Sequence, residues 1–203
     1  MKKVFFLVLS LAAALFVSCS NDDEPTMGET KEGYIEATSS TTWHYYSLSG
    51  NEIVGTGEET EEDNNSWFAR TDWDFAVNRY SIRTNSGKAT SVGAKGGVYT
   101  FDASKSFSSI SSFPDGAVFT EDEVITSSGM GGATSIVKSK ATVIIFKTND
   151  DGSLVMPPIY LKAPVYLFRT ADGNHYYKVE FTQYQNDKSV SGHVRFSLAE
   201  IIK

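Results

Sequence analysis

The sequence predicts an all-β fold: a single domain of two packed, mainly antiparallel sheets. Three observations carry this. From Gly33 onward the chain is rich in Tyr, Phe, Val, Ile and Thr, in short runs broken by Gly, Asn, Asp and Ser. Several runs alternate apolar and polar residues with the period of two that a half-buried strand requires. Tight-turn signals join neighbouring runs, NDDG at 149–152 and ADGN at 171–174. No sustained helical period and no internal repeat is visible in this region.

The N-terminus reads differently. Met1, Lys2 and Lys3 form a short positive region, and residues 4–17 are apolar apart from Ser10. That run is short of the ~20 residues that span a bilayer, but it has the length of a signal-peptide core. Ser18 precedes Cys19, and FVSC at 16–19 resembles a lipobox. There the thiol receives diacylglycerol and cleavage leaves Cys19 as the first mature residue. Ordinary secretory cleavage near Ala14 is the alternative and would make the cysteine incidental. The expected organisation is a lipoprotein signal peptide over 1–18, a flexible acidic tether over 19–32 and a β domain over 33–203.

Cys19 is the only cysteine. Once lipidated it leaves no thiol for a disulfide, a redox pair or a thiolate–metal site, so an exported domain must rest on its core alone. About 185 mature residues suffice for one such core. Several acyl chains, at ~0.8 kcal/mol per buried CH₂, anchor firmly. Loss of Lys2 and Lys3 with the leader leaves 16 basic against 25 acidic residues, a net charge of −9. Nucleic-acid binding needs a basic footprint and is therefore not expected. The acidic SNDDEPTMGETKEG behind the cysteine reads as a disordered tether; it also resembles a surface-export signal of some Gram-negative anaerobes.

Along the domain, WHYYSL at 43–48 has strand composition. NEIVGTGEETEEDNNS at 51–66 reads as a polar connection with a solvated acidic stretch. In DWDFAV, Trp73, Phe75 and Val77 are expected on one face, Asp74 and Ala76 on the other. Residues 104–135 are dominated by Ser, Gly and Thr, with Phe107, Phe113 and Phe119 among them. Long irregular segments of this kind are often functional. Further on, Tyr177, Val179 and Phe181 alternate with Lys178 and Glu180, and Val194, Phe196 and Leu198 with Arg195 and Ser197.

No hydrolase elbow, zinc-protease, P-loop or dinucleotide motif is present. His44, His175 and His193 have no partner at ligand spacing and read as surface or satisfied strand histidines. Asp72 with Asp74, and Glu121 with Glu123, are pairs of carboxylates in an acidic chain and carry no enzyme motif. An enzyme is not expected.

WHYYSL, a variable acidic loop, then TDWDFAVNRYSIRTNSG at 71–87 resembles the HmuY family of heme-binding lipoproteins. The likeness is compact around 72–78 and 83–87, and beyond about Gly97 it is one of layout. It implies an all-β, non-catalytic, hemophore-like protein on the outer membrane, lipid-anchored, surface-exposed or shed. Such a protein takes heme from host hemoproteins and passes it to a TonB-dependent outer-membrane receptor, and it can assemble into homo-oligomers. The family holds heme iron between two axial side chains, histidines in some members and methionines in others. No histidine lies between His44 and His175 here, whereas Met130 and Met156 stand 26 residues apart in that half. The resemblance therefore implies Met130 and Met156 as axial ligands of the heme iron.

A thioether is a soft neutral ligand that suits heme iron and favours its ferrous state relative to two imidazoles. Glycines beside Met130 let a porphyrin approach the backbone, and Pro157-Pro158 stiffen the chain after Met156. Counted back from the 149–152 turn, Met156 should face a residue near Ile144, so Met130 must arrive on its own loop. The alternative is a loop plug at Met130 and a core filler at Met156. Phe119 and Tyr160 are weaker candidates for the pocket wall. The matched Trp43, Trp73, Asp74 and Asn78 are expected to fix the fold. A different reading is a surface glycan- or host-protein-binding lipoprotein using Trp43 and Trp67 as a stacking platform, and a third is a hydrolase using Asp72 and Asp74. For the anchor, Cys19→Ser should abolish incorporation of labelled palmitate into the expressed chain; undiminished labelling would refute lipidation at Cys19.

Overall fold

The computed structural model describes residues 27–129 and 132–203, with side-chain placement omitted for 127–132. The fold is mainly β and all its ladders are antiparallel. One five-stranded sheet orders β1 (Lys31–Glu36), β13 (Ser191–Glu200), β12 (Tyr176–Gln185), β11 (Tyr166–Arg169) and β6 (Gly97–Thr100). A four-stranded sheet orders β3 (Glu52–Glu58), β2 (Thr42–Ser47), β4 (Phe75–Asn78) and β5 (Ser81–Thr84). Two further ladders have two strands each: β7 (Glu123–Gly129) with β8 (Gly132–Lys138), and β9 (Ile144–Phe146) with β10 (Tyr160–Lys162). The expected pair of packed sheets is thus present, with two hairpins added.

The main core lies between the two large sheets. Tyr46, Phe75, Val77 and Ile82 meet Phe168, Val179, Phe181, Val194, Phe196 and Leu198. The period-two alternation of β12 and β13 placed these residues correctly. The chain joins the sheet ahead of the expected boundary at Gly33: β1 opens at Lys31, and Met27 bridges Ile201. Lys31 and Glu32 are exposed there, as suits an edge strand. Gly33 is required by close approach, since a Cβ would come within 2.2 Å of the Phe196 ring.

Three local expectations change. The acidic stretch is not a solvated loop. Residues 52–58 pair as β3, and residues 61–68 form a helix, α1 (Glu61–Phe68), whose N-cap Thr60 accepts from the Asp63 N–H. Glu61, Glu62 and Asp63 fill its first turn, where the helix dipole favours anions. Eight residues hold too little apolar periodicity to announce themselves; Trp67 is the one buried anchor. Trp73 does not share a face with Phe75 and Val77, because β4 starts only at Phe75. It packs instead with Trp43, Tyr45, Trp67 and Ala76 in a second cluster under α1. Both faces of β4 are consequently buried.

The third change concerns residues 104–120. This segment covers the outer face of the five-stranded sheet with a third cluster, in which Phe107, Phe113 and Phe119 pack around Phe101, Ile110, Val165, Leu167 and Ile201. Lys178 alternates outward as read, yet is only 1% exposed. Its Nζ donates to the Phe107 and Ile110 carbonyls at 2.8 and 2.7 Å. Burial lowers its pKa.

Arg83 joins the layers below the small sheet. Fully buried, it lies 4.0 Å from the Trp43 ring centroid and 4.9 Å from that of Phe68. It donates to the Tyr45 hydroxyl at 3.1 Å, Asn64 Oδ1 at 3.0 Å, Glu59 Oε2 at 3.1 Å and the Val137 carbonyl at 2.8 Å. Removing it strands Glu59, whose side chain is 29% exposed and so keeps some water. We expect Arg83→Met to cost about 3 kcal/mol, read as a lower urea midpoint at unchanged m-value; a loss below about 1 kcal/mol would contradict this role.

Candidate functional site

β7 and β8 are in register from Glu123↔Lys138 to Gly129↔Gly132. The segment 104–135, read as irregular, thus contains a hairpin whose far end flanks residues 130–131. Met130 lies outside the described residues. The base of this hairpin is held from three directions. Arg83 Nε donates to Val137 O, Ser139 N donates to Ile82 O at 2.8 Å, and Asp122 grips β5. The Asp122 carboxylate accepts from Thr84 N at 3.0 and 3.1 Å and from Thr84 Oγ1 at 2.5 Å, while its own N–H donates to Ser86 Oγ. Burial pushes its pKa up to about 7, against the lowering effect of the Thr84 bonds and the Arg83 charge.

Met156 lies on the other hairpin. The turn at 149–152 forms as read, with Asn149 N donating to Ser153 O and Gly152 N to Asn149 O. Its return strand does not run straight. Val155 N donates to Lys147 O, and Lys147 N donates to Ile159 O. Residues 156–158 therefore loop out opposite one residue. The residues that bracket this loop, Val155 and Ile159, bond to Lys147, whereas Ile144 pairs with Lys162, so Met156 has no register partner at Ile144. The cause is in the sequence: Pro157 and Pro158 cannot donate to a ladder, so the chain leaves it there. Met156 is 73% exposed, which excludes a core-filler role.

The hairpin that carries Met156 also exposes several apolar side chains. Ile145 and Leu161 are register partners and share the outward face of the β9–β10 ladder. Both are exposed, as are Leu154 and Ile159. Sequence reading missed this patch, because single apolar residues in a strand read as core. On the inward side, Tyr160 packs on Phe146 and Tyr184, with centroids 5.5 and 5.2 Å apart, and lines a cleft of about 250 Å³ with Phe181 and Tyr184. Phe119 is not part of this region; it belongs to the cluster on the outer face of the large sheet.

The histidines are accounted for individually. His193 is engaged at both nitrogens, by Tyr34 Oη at 2.6 Å and Asn186 Nδ2 at 3.0 Å. His175 Nδ1 meets Glu200 at 2.7 Å, which raises its pKa. His44 is half-buried in β2, where burial lowers its pKa despite Glu36 and Glu58 nearby. Among the described residues no three His, Cys, Asp or Glu side chains converge on a metal position.

The alternative sites fail on geometry. Trp43 and Trp67 are buried, under Arg83 and Arg70 respectively, so neither is an exposed stacking platform. Asp74 is a buried staple, accepting from Leu48 N and Ala171 N at 2.8 Å each, and burial raises its pKa. Asp72 is taken by Arg70 at 2.6 Å. The two carboxylates have separate structural tasks. Trp43, Trp73, Asp74 and Asn78 all fix the fold, Asn78 through its Nδ2 bond to Thr42 O at 3.1 Å.

The arrangement is a β scaffold of two large antiparallel sheets with two added hairpins. The HmuY family model matches residues 39–198, and the chain belongs to that family. Three solved structures are similar. A lipoprotein of Bacteroides fragilis is 26% identical, with a TM-score of 0.60 over 87% of this chain and 90% of that one. An HmuY-like heme binding protein of Bacteroides vulgatus is 23% identical, with a TM-score of 0.57 over 83% and 90%. The apo HmuY analog of Tannerella forsythia is 23% identical, with a TM-score of 0.54 over 86% and 98%. At these identities the last two establish a shared fold. No curated protein matches the chain in sequence.

The Asp122 staple yields a pH prediction. Its folded pKa lies above the unfolded value of 3.8, so the fold binds a proton that the unfolded chain has released between about pH 4 and 7. Its contribution to stability is present below about pH 4 and falls as pH rises towards 7, by up to ~4 kcal/mol. Asp122→Asn should flatten that part of the stability–pH profile; an unchanged slope in urea titrations from pH 4 to 8 would contradict the assignment.

Proposed function

We propose that this chain is a lipid-anchored surface protein that binds heme between Met130 and Met156 and passes it to a TonB-dependent outer-membrane receptor, taking it from host hemoproteins. The observation that carries the reading is Met156. A long apolar side chain, 73% exposed, is held out of the ladder by two prolines, on a hairpin that also exposes Ile145, Leu154, Ile159 and Leu161. Exposed apolar surface of this kind marks a binding site. Family membership supports heme as the ligand, as does the shared fold of the Bacteroides vulgatus heme binding protein.

The described residues fit such a group. Heme is flat and largely apolar, and it supplies an iron with two open axial positions. The thioether of Met156 offers a soft neutral ligand for one of them. Ile145 and Leu161, exposed on the same hairpin, would offer apolar contact to the macrocycle and keep water from it. The β7–β8 ladder is described up to Gly129 and Gly132, and the second ligand is assigned to Met130, which lies between them in sequence. Two arms that each carry one ligand can part to release the cargo without disturbing the core. No acid, base or nucleophile is required, and the reading is of a carrier. The lipid at Cys19 and the acidic residues behind it would hold the domain at the outer-membrane surface, where cargo and receptor meet.

Titration of the domain from residue 27 onward with ferric and then dithionite-reduced heme should shift and sharpen the Soret band, with the larger response in the ferrous state. Met130→Ala combined with Met156→Ala should weaken ferrous binding by at least about 100-fold, since two iron–sulfur bonds are lost. An unchanged spectrum in the double variant would remove the ligand assignment. The absence of any spectral response in the unaltered protein, in both redox states, would remove heme as the ligand.

A further inference from the structure

A second cavity lies on the opposite side of the five-stranded sheet, facing away from the four-stranded sheet. It has a volume of about 510 Å³ and is lined by Phe113, Asp115, Phe119, Arg169, Tyr176 and Lys203. Its position follows from the strand alternation. On β11, Tyr166 and Phe168 point into the main core, so Arg169 points out; on β12, Tyr177 points in and Tyr176 out. The 113–119 loop then forms the other wall. None of these residues is used by the heme reading, and no histidine, cysteine or methionine lines the cavity.

The lining has a definite chemistry. Phe113 and Tyr176 meet edge to face at 4.8 Å, and Phe119 completes a three-ring wall at 5.6 Å from Tyr176 and 6.3 Å from Phe113. Two cations border these rings. Arg169 lies 5.0 Å from the Phe119 centroid, and Lys203 lies 4.9 Å from Phe113 and 5.6 Å from Tyr176. Neither cation has an ion-pair partner among the described residues. Arg169 is also incompletely satisfied: Nη2 donates to Gly96 O at 3.0 Å, while the buried Nε has no acceptor. In a chain of net charge −7, this is a local reversal of sign, with Asp115 the one acidic residue in the described lining.

We propose that this cavity is a second ligand site, for a flat aromatic carboxylate, independent of the two methionines. The three-ring wall offers stacking and edge contacts to an aromatic body. Arg169 and Lys203 offer charge-assisted hydrogen bonds to its carboxylate, the guanidinium being the group that matches a carboxylate fork. A neutral molecule of the same shape would leave both cations uncompensated. Asp115 would weaken the site without abolishing it.

The test uses pyrene-1-butyrate and its neutral counterpart pyrene-1-butanol with the full chain, followed by fluorescence anisotropy. Saturable one-to-one binding is expected for the carboxylate, with the alcohol at least about ten-fold weaker. Arg169→Gln should weaken the carboxylate by about ten-fold or more and leave the alcohol nearly unaffected. Arg169 also holds the Gly96 carbonyl, so Lys203→Gln, which removes no hydrogen bond or ion pair among the described residues, provides the independent variant and should lose several-fold. Asp115→Asn should tighten binding. Met130→Ala with Met156→Ala should change nothing, which separates this site from the heme site. Absence of saturable binding, equal affinity for acid and alcohol, indifference to Lys203→Gln, or loss in the methionine variant would each overturn the proposal.

Discussion

The arrangement depends on one buried cation above all, Arg83. Arg83 enters the domain as an outward-facing residue of β5 and is enclosed by Trp43, Phe68, Glu59, Asn64, Tyr45 and Val137. These come from β2, the segment joining β3 to α1, α1 itself and β8. A buried guanidinium is tolerable only when its donors are used and its charge is met, so each of these elements is bound to one position. Trp43 reinforces the arrangement by donating its indole N–H to Glu59. The packing of α1, which is too short to be stable alone, follows from this centre.

The same residue connects the scaffold to the base of the β7–β8 hairpin. Its Nε holds the Val137 carbonyl, in the strand that returns from Met130, and its neighbour Thr84 holds Asp122, at the start of the strand that leads there. The base of the arm is therefore secured on both strands. Beyond it, β7 and β8 pair only with each other. The second arm is built differently. Ile144, Phe146 and Tyr160 tie its foot to the core, and Pro157-Pro158 expel Met156 from the ladder. A fixed base with the two proposed ligands lying outside it would suit reversible capture, because a grip could be lost without loss of core packing.

Much of the fold was legible wherever one side of a strand faced water. Val194, Phe196 and Leu198 were placed by alternation, and both the 149–152 and 171–174 turns formed where Gly and Asp announced them. Legibility failed where a second layer covered the outer face. Lys178 reads as solvent-facing, and only the distant Phe107 and Ile110 carbonyls make its burial tolerable. Trp73 and the acidic helix failed for a related reason: their partners, Arg83 and the Tyr45–Trp67 stack at 3.9 Å, are long-range and leave no local pattern. At the proposed site, the family resemblance singled out Met156, but the register counted to it did not survive the prolines. The apolar face of the same hairpin was invisible, since Ile145 and Leu161 look the same in sequence whether they face core or water.

The central claim is that two sulfur atoms hold the iron, one from each arm. X-ray absorption at the iron edge of the reduced heme complex tests it most directly. The account predicts two axial sulfur scatterers in addition to the four pyrrole nitrogens, with one lost in Met156→Ala and the other in Met130→Ala. An iron surrounded by nitrogen and oxygen alone, or a sulfur signal that survives both substitutions, would contradict it.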